Sequence, residues 1–282
     1  MSGVPVACCQ VAPVLRDLAV NRDLAAESVA GAASLGARVV VLPELLSSGY
    51  VFESKWEARE CGEPRDGPMV SLLTRLATDL GLIVVGGFCE LAGDELFNSA
   101  AVVDGSGLRA VYRKAHLWDA ERLWFTAGDA SPVIVPTEVG DIAVMICYDL
   151  EFPEWVRLPA LAGAQLLCAP VNWPASPRPD GERPAEIVRV QAGASVNRIF
   201  VAACDRAGQE RGVDWVEGSV IVDPDGWPLA GGSAGTGVHT IVADCRLGDA
   251  KDKSVSSLSD VMADRRPGLY GRVTEEMTSD GA

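Results

Sequence analysis

Cys147 stands where the apolar run "DIAVMIC" gives way to the polar "YDLEFPE" and a helical pattern. A strand-turn-helix junction presents a side chain at the rim of a sheet, next to backbone N–H groups free to bind an oxyanion. That is the context of a nucleophile. The competing reading is an inert core thiol, as free cysteines commonly are. A nucleophilic thiol needs a base, and the chain holds only two histidines, His116 and His239. His239 opens a strand-like run and suits packing or surface; His116 reads as structural. Glu44 is the candidate acceptor, set among apolar residues in "ARVVVLPELLSSGY". A carboxyl there is costly unless paired, and beside a cation its pKa can be tuned for base catalysis. The alternative is a strand-end glutamate capping a turn. Lys114, in "RAVYRKAHLW", continues an alternating strand that sets Val111 with Arg113 and Tyr112 with Lys114. One of the two cations faces inward, and alternation leaves open which. An ammonium near the thiol would lower its pKa and help hold an oxyanion, with the Tyr148 N–H as second donor.

The elements that must position these groups alternate between strand-like and helical patterns. "VACCQVA" and "ARVVVLP" bracket a helix in "NRDLAAESVAGAASLG"; "GPMVSLLTRLATDLG" is a second helix, followed by the strand "LIVVGGFCEL". A hairpin turning at "DGSG", two further strands, the helix "PEWVRLPALAGA" with Pro159 inside it, and the strand "QLLCAPVN" come next. The helix "RPAEIVRVQAGASVN", the strand "IFVAACD", a hairpin turning at "DPDG" and "VHTIVADC" complete the pattern. Helix-linked strands together with hairpins predict an α/β fold with mixed sheets. The Pro/Gly-rich "WPASPRPDGERP" follows a strand end, which suits an active-site loop better than a domain boundary. The last thirty or so residues lose the pattern and read as an exposed tail.

Composition narrows the function classes. With 48% hydrophobic and 22% charged residues, the chain can bury a sizeable core. A net charge of −15 disfavours nucleic acid and anionic membranes as partners. The start lacks a basic segment and a long apolar stretch, so no secretory signal is expected. No apolar run approaches the length of a transmembrane helix. The eight cysteines show no CxxC spacing, and thiols in a reducing cytoplasm are expected. There is no zinc-ligand pattern and no P-loop, and "VVGGFCELAG" lacks the GxGxxG order of a dinucleotide site.

In this order, "LPE", "YRKAHL" and "ICYDLEFPE" resemble the nitrilase superfamily of carbon–nitrogen hydrolases, and the likeness spans nearly the whole chain. The resemblance implies a four-layer α-β-β-α sandwich of two mixed sheets with helices on both outer faces. It implies one domain over residues 1–282, whose tail from about residue 250 packs at a dimer interface. A homodimer or higher homo-oligomer follows. It implies a catalytic triad of Glu44, Lys114 and Cys147, with no metal or organic cofactor. Relatives often carry a second glutamate after the lysine; Glu121 fits, with Asp119 in the same loop. The expected activity is hydrolysis of a small primary aliphatic amide to acid and ammonia through a cysteine thioester. The residues after Cys147 include Asp149 and Glu151 rather than arginines, which disfavours N-carbamoyl amino acids. Glu151 and Asp149 either favour an amine-bearing substrate or are structural. Tyr50, Tyr148 and Trp173 are expected at the substrate pocket. The alternatives are an N-carbamoyl amine hydrolase and a catalytically silent binding protein.

Overall fold

A computed structural model of the chain describes residues 3–275. The first sheet is built from β1 (Val4–Gln10), β2 (Val39–Val41), β3 (Ile83–Ala92), β4 (Glu95–Asp104) and β5 (Gly107–Arg113). A final strand, His239–Cys245, pairs antiparallel with β1 along its whole length and completes this sheet. Two helices connect the first three strands, α1 (Leu18–Ser34) and, after the short α2 (Lys55–Glu60), α3 (Pro68–Leu80). Their ends follow from capping chemistry. Asp17 accepts the Val20 N–H at 3.1 Å at the start of α1, and α3 runs from Pro68 at its first turn to Gly81 at φ +66°.

After the one-turn α4 (Glu121–Trp124) the second sheet begins with β6 (Ile134–Thr137) and β7 (Gly140–Val144). It continues through α5 (Pro153–Leu161), β8 (Leu166–Pro170), α6 (Ala185–Asn197) and β9 (Phe200–Cys204). A small pair, β10 (Gln209–Glu210) and β11 (Val213–Asp214), precedes β12 (Val220–Val222) and β13 (Pro228–Gly231); the His239–Cys245 strand is β14. The sheet orders are β14-β1-β2-β3-β4-β5 and β13-β12-β9-β8-β7-β6. Each is parallel where helices connect strands and antiparallel where hairpins do, as short connections demand.

Side-chain alternation decides the layers. Val6, Cys8, Val39, Val41 and Val85 join the core shared with the second sheet. Their neighbours Ala7, Cys9, Val40 and Val84 pack outward with Ala25 and Val29 of α1 and Met69 and Leu73 of α3. On the far side, Val156 and Ala160 of α5 and Ile187, Val190 and Ala194 of α6 cover the second sheet. The result is the α-β-β-α sandwich. All eight cysteines are buried free thiols. No helix of the described residues is long and apolar enough to cross a membrane.

Strand direction sets the rim on which chemistry can assemble. β2 and β3 are parallel, β4 reverses, and β5 reverses again, so the C-terminal ends of β2 and β5 share one edge. Glu44 follows β2 and Lys114 follows β5. In the other sheet, β7 and β8 are parallel; Cys147 follows the first and Asn172 the second. The carboxyl ends of strands are where open α/β sheets collect their ligands.

The "GG" of β3 has a packing role instead of a nucleotide-binding one. A Cβ on Gly87 would lie 2.5 Å from the Pro43 carbonyl oxygen and 2.7 Å from Cα of Glu44. Only glycine lets the Glu44 turn rest directly on β3. Gly87→Ala is therefore expected to cost about 1–3 kcal/mol in urea denaturation and to lower turnover by displacing that turn.

Past β14 the chain forms 3-10 turns and a small strand pair, Ser254–Ser256 with Ser259–Asp260, and is largely exposed. The part of the expected tail beyond residue 275 lies outside the described residues.

Candidate active site

Glu44 and Lys114 are fully buried and bonded to each other, Nζ donating to Oε1 at 2.7 Å. The strand register explains the contact. Ser99 of β4 faces Arg113 of β5, so the next pair is Asn98 with Lys114, whose N–H donates to the Asn98 carbonyl at 2.8 Å. Lys114 is thus the inward cation. Arg113 points the other way and pairs with Glu90.

Glu121 completes the cluster. Both its carboxylate oxygens accept from Lys114 Nζ, at 2.9 and 2.7 Å, and the Trp118 N–H donates to it at 2.6 Å. Its neighbour Asp119 is exposed. Asn98 Nδ2 donates to Oε1 of both glutamates, 2.7 Å each. Two carboxylates therefore share one ammonium and one amide; of their four oxygens only Oε2 of Glu44 has no hydrogen-bond partner among the described residues, and the Asn98 Oδ1 beside it has none either.

Cys147 opens a 3-10 turn, Cys147–Glu151, with φ +46°. A side chain other than glycine is strained in that region by about 1–3 kcal/mol, and the surrounding structure enforces it. Asp149 is the brace: its carboxylate accepts the Ile146 N–H at 3.0 Å, the Tyr112 hydroxyl at 2.7 Å and the His116 N–H at 3.0 Å. His116 also bonds Asp149 through Nδ1 and stacks on Phe152. Asp149 and His116 are structural, and Asp149 is withdrawn from any substrate. The sulfur lies 3.7 Å from the carbonyl oxygen of Asn172, whose side-chain amide donates to the Glu44 carbonyl at 2.9 Å. That bond ties the two sheets' rims together at the site. The Tyr148 N–H has no backbone acceptor among the described residues and is available to a ligand.

Electrostatics follow from burial. Desolvation pushes the Glu44 carboxyl up to about 7; Lys114 opposes this and the nearby Glu121 charge adds to it. Burial disfavours the Lys114 ammonium, but Glu121 and Glu44 outweigh it and raise its pKa. Burial, then the Glu44 charge, holds the Cys147 thiol well above its usual range, against the pull of Lys114. The resting thiol is therefore held protonated, in the field of the Glu44 carboxylate. Burial and the charges of Glu121 and Glu44 likewise keep the Tyr50 hydroxyl protonated.

A pocket of about 150 Å³ opens onto the sulfur, lined by Tyr50, Trp118, Tyr148, Glu151, Trp173 and Arg189, among others. Tyr50, Tyr148, Glu151 and Trp173 are all in its lining. Of the long polar loop, Trp173, Pro174 and Ser176 line it, whereas residues from Arg178 to Pro184 border a separate cavity. Glu151 does not present a bare carboxylate: Arg189 of α6 pairs with it and with Glu186. A guanidinium therefore sits where the residues following Cys147 suggested only anions.

Sequence reasoning missed Asn98, Asn172, Trp118 and Arg189. Asn98 left one signal, a lone amide in the mostly apolar strand "FNSAAVV". Arg189 left none, because a helical cation is usually solvated. Among the described residues, no three His, Cys, Asp or Glu side chains are grouped to hold a metal ion.

The family model for carbon-nitrogen hydrolases matches residues 5–253. A nitrilase of Pyrococcus abyssi is 34% identical over 272 residues, covering 95% of this chain and 100% of its own. An N-carbamoylputrescine amidase of Solanum lycopersicum is 30% identical, covering 90% of this chain and 89% of its own. A solved mutant of an amidase from Nesterenkonia sp. AN1, in complex with butyramide, aligns with a TM-score of 0.77 at 26% identity, over 96% of this chain and 97% of that one.

Proposed function

We propose that this chain, a member of the carbon–nitrogen hydrolase family that acts on carbon–nitrogen bonds, takes a primary amide as substrate and cleaves it to a carboxylic acid and ammonia at Cys147. The observation that carries this reading is the free Glu44 Oε2, beside a Glu44 Oε1 and two Glu121 oxygens that are all engaged. Glu44 takes the thiol proton as sulfur bonds to the carbonyl carbon. Lys114 and the Tyr148 N–H hold the resulting oxyanion. Glu44 then protonates the nitrogen, the C–N bond breaks, and ammonia leaves a thioester. Water attacks that thioester, giving its proton to Glu44; the C–S bond breaks, and the proton returns to sulfur. Glu121 keeps Lys114 charged and oriented throughout. One carboxyl serves as base, acid and base again, so no histidine is required.

A second reading is hydrolysis of an N-carbamoyl amine, with carbon dioxide formed besides ammonia. Glu151, Glu186 and Arg189 line the pocket together and leave one net negative charge, which favours an amine-bearing substrate over an anionic one. The Solanum relative, an N-carbamoylputrescine amidase, is consistent with that choice. A panel of short amides, ω-amino amides and N-carbamoyl amines, assayed for ammonia and carbon dioxide, separates the readings. Ammonia alone is expected from amides, with an acyl adduct on Cys147 visible by mass spectrometry. A folded protein inert to the whole panel would instead point to a silent binding protein. The reading also pairs two copies of the chain through the tail, where Val255, Leu258, Leu269 and Val273 are exposed.

A further inference from the structure

Next to the Cys147 pocket lies a second cavity, of about 210 Å³, into which Glu121 of the catalytic cluster reaches but for which the chemistry above gives no substrate group. Tyr50, Trp118 and Pro174 line both. Its remaining walls include Phe52, Trp124, Val213 and Trp215, so aromatic faces dominate it. An apolar cavity of about 150 Å³ is enough to admit benzene.

The cavity's walls are held by a buried ion pair. Arg206 and Glu210 are both almost wholly buried, and Nη1 donates to Oε2 at 2.8 Å. The guanidinium lies 4.6 Å from the centroid of the Trp215 ring and donates through Nη2 to the Pro13 carbonyl at 3.1 Å. The other Glu210 oxygen accepts the N–H groups of Tyr50 and Val51, at 2.8 and 2.6 Å. Tyr50 in turn meets Trp215 edge to face, with ring centroids 5.6 Å apart. Burying a charge pair is costly unless its hydrogen bonds are satisfied. Two of the three hydrogen bonds that the pair makes outside itself end on the segment carrying Tyr50 and Phe52, while Arg206 Nε has no partner among the described residues. The pair fixes Tyr50 against Trp215 at the junction of the two cavities.

Building on the amide-hydrolase reading, we propose that the two cavities form one substrate site, and that the enzyme prefers amides carrying a flat apolar group of about benzyl size. The ring lies among Tyr50, Trp118, Trp124 and Trp215 while the amide carbon faces Cys147. Arg206 and Glu210 are positioning residues for those walls. The ring is attached on the acyl side, since the amide-hydrolase reading releases the nitrogen as ammonia.

The test compares kcat/KM of the full-length protein for propionamide with 3-phenylpropionamide, and for acetamide with 2-phenylacetamide. At least one aryl amide is expected to exceed its short counterpart by about tenfold or more. Val213→Trp, which fills the cavity, and Trp124→Ala, which removes a wall, should each reduce that preference by about tenfold, with folding checked by thermal melts. Short amides turned over as well as both aryl amides would overturn the inference, as would a preference that survives in both folded variants. Failure to hydrolyse any of the four amides is a different result: it sinks the amide-hydrolase reading itself, and this inference with it.

Discussion

Cys147→Ala is expected to lower ammonia release by about 10⁵-fold or more, the loss that follows removal of a covalent nucleophile. No neighbouring group can replace it. Glu44, Lys114 and Glu121 are buried and bonded to one another, and the other cysteines are buried elsewhere in the core. The fold should survive. The change removes one sulfur atom, and the Asp149 hydrogen bonds that brace the turn are untouched. A melting transition within a few degrees of the parent is expected, corresponding to about 1 kcal/mol. Mass spectrometry should show the acyl adduct on the parent protein and none on the variant. Residual activity above one part in about a thousand, in a folded variant, would move the nucleophile elsewhere.

Glu44→Gln separates the base from the nucleophile. Glutamine can keep the hydrogen bond from Lys114 but cannot take a proton, so a loss of about 10³–10⁴-fold in kcat/KM is expected. The parent should show the matching pH dependence. A base must be unprotonated to act, and burial puts the Glu44 carboxyl at about 7. Activity should therefore fall as pH drops through about 7, by about tenfold per unit once well below it. The Lys114 pKa is raised, so loss of the ammonium should impose no fall on the alkaline side near neutrality. A flat profile between about pH 5.5 and 8.5, or a glutamine variant within tenfold of the parent, would remove Glu44 from the proton-transfer role.

Expectation and structure diverge at particular residues. Cys147 could be singled out because its whole signal is local: an apolar strand, a polar break and a helix start within one short stretch. Glu44 likewise stands out as a carboxyl in an apolar run. Lys114 could not be told from Arg113 until the β4–β5 register paired Asn98 with it. Asp149 and Glu151 looked alike as acidic neighbours of the thiol; one became a buried brace for the turn and the other an ion-pair partner of a helix that lies far along the chain. The aromatic cavity had even less presence in the sequence, since Tyr50, Trp118 and Trp215 come from three separate loops.

What the amino-acid sequence determined by itself was the alternation of strands and helices, the strand-end setting of the thiol, and a supply of only two histidines. The first two depend on periodicity and on neighbours a few residues away, where backbone geometry dictates which side a residue faces. The tertiary structure alone decided which cation turns inward, which carboxylate oxygen stays free, and which distant aromatic rings meet at the rim. Those outcomes depend on strand register and on the packing of one sheet against another, and a one-residue slip in register would reverse every facing without changing a letter of the local pattern.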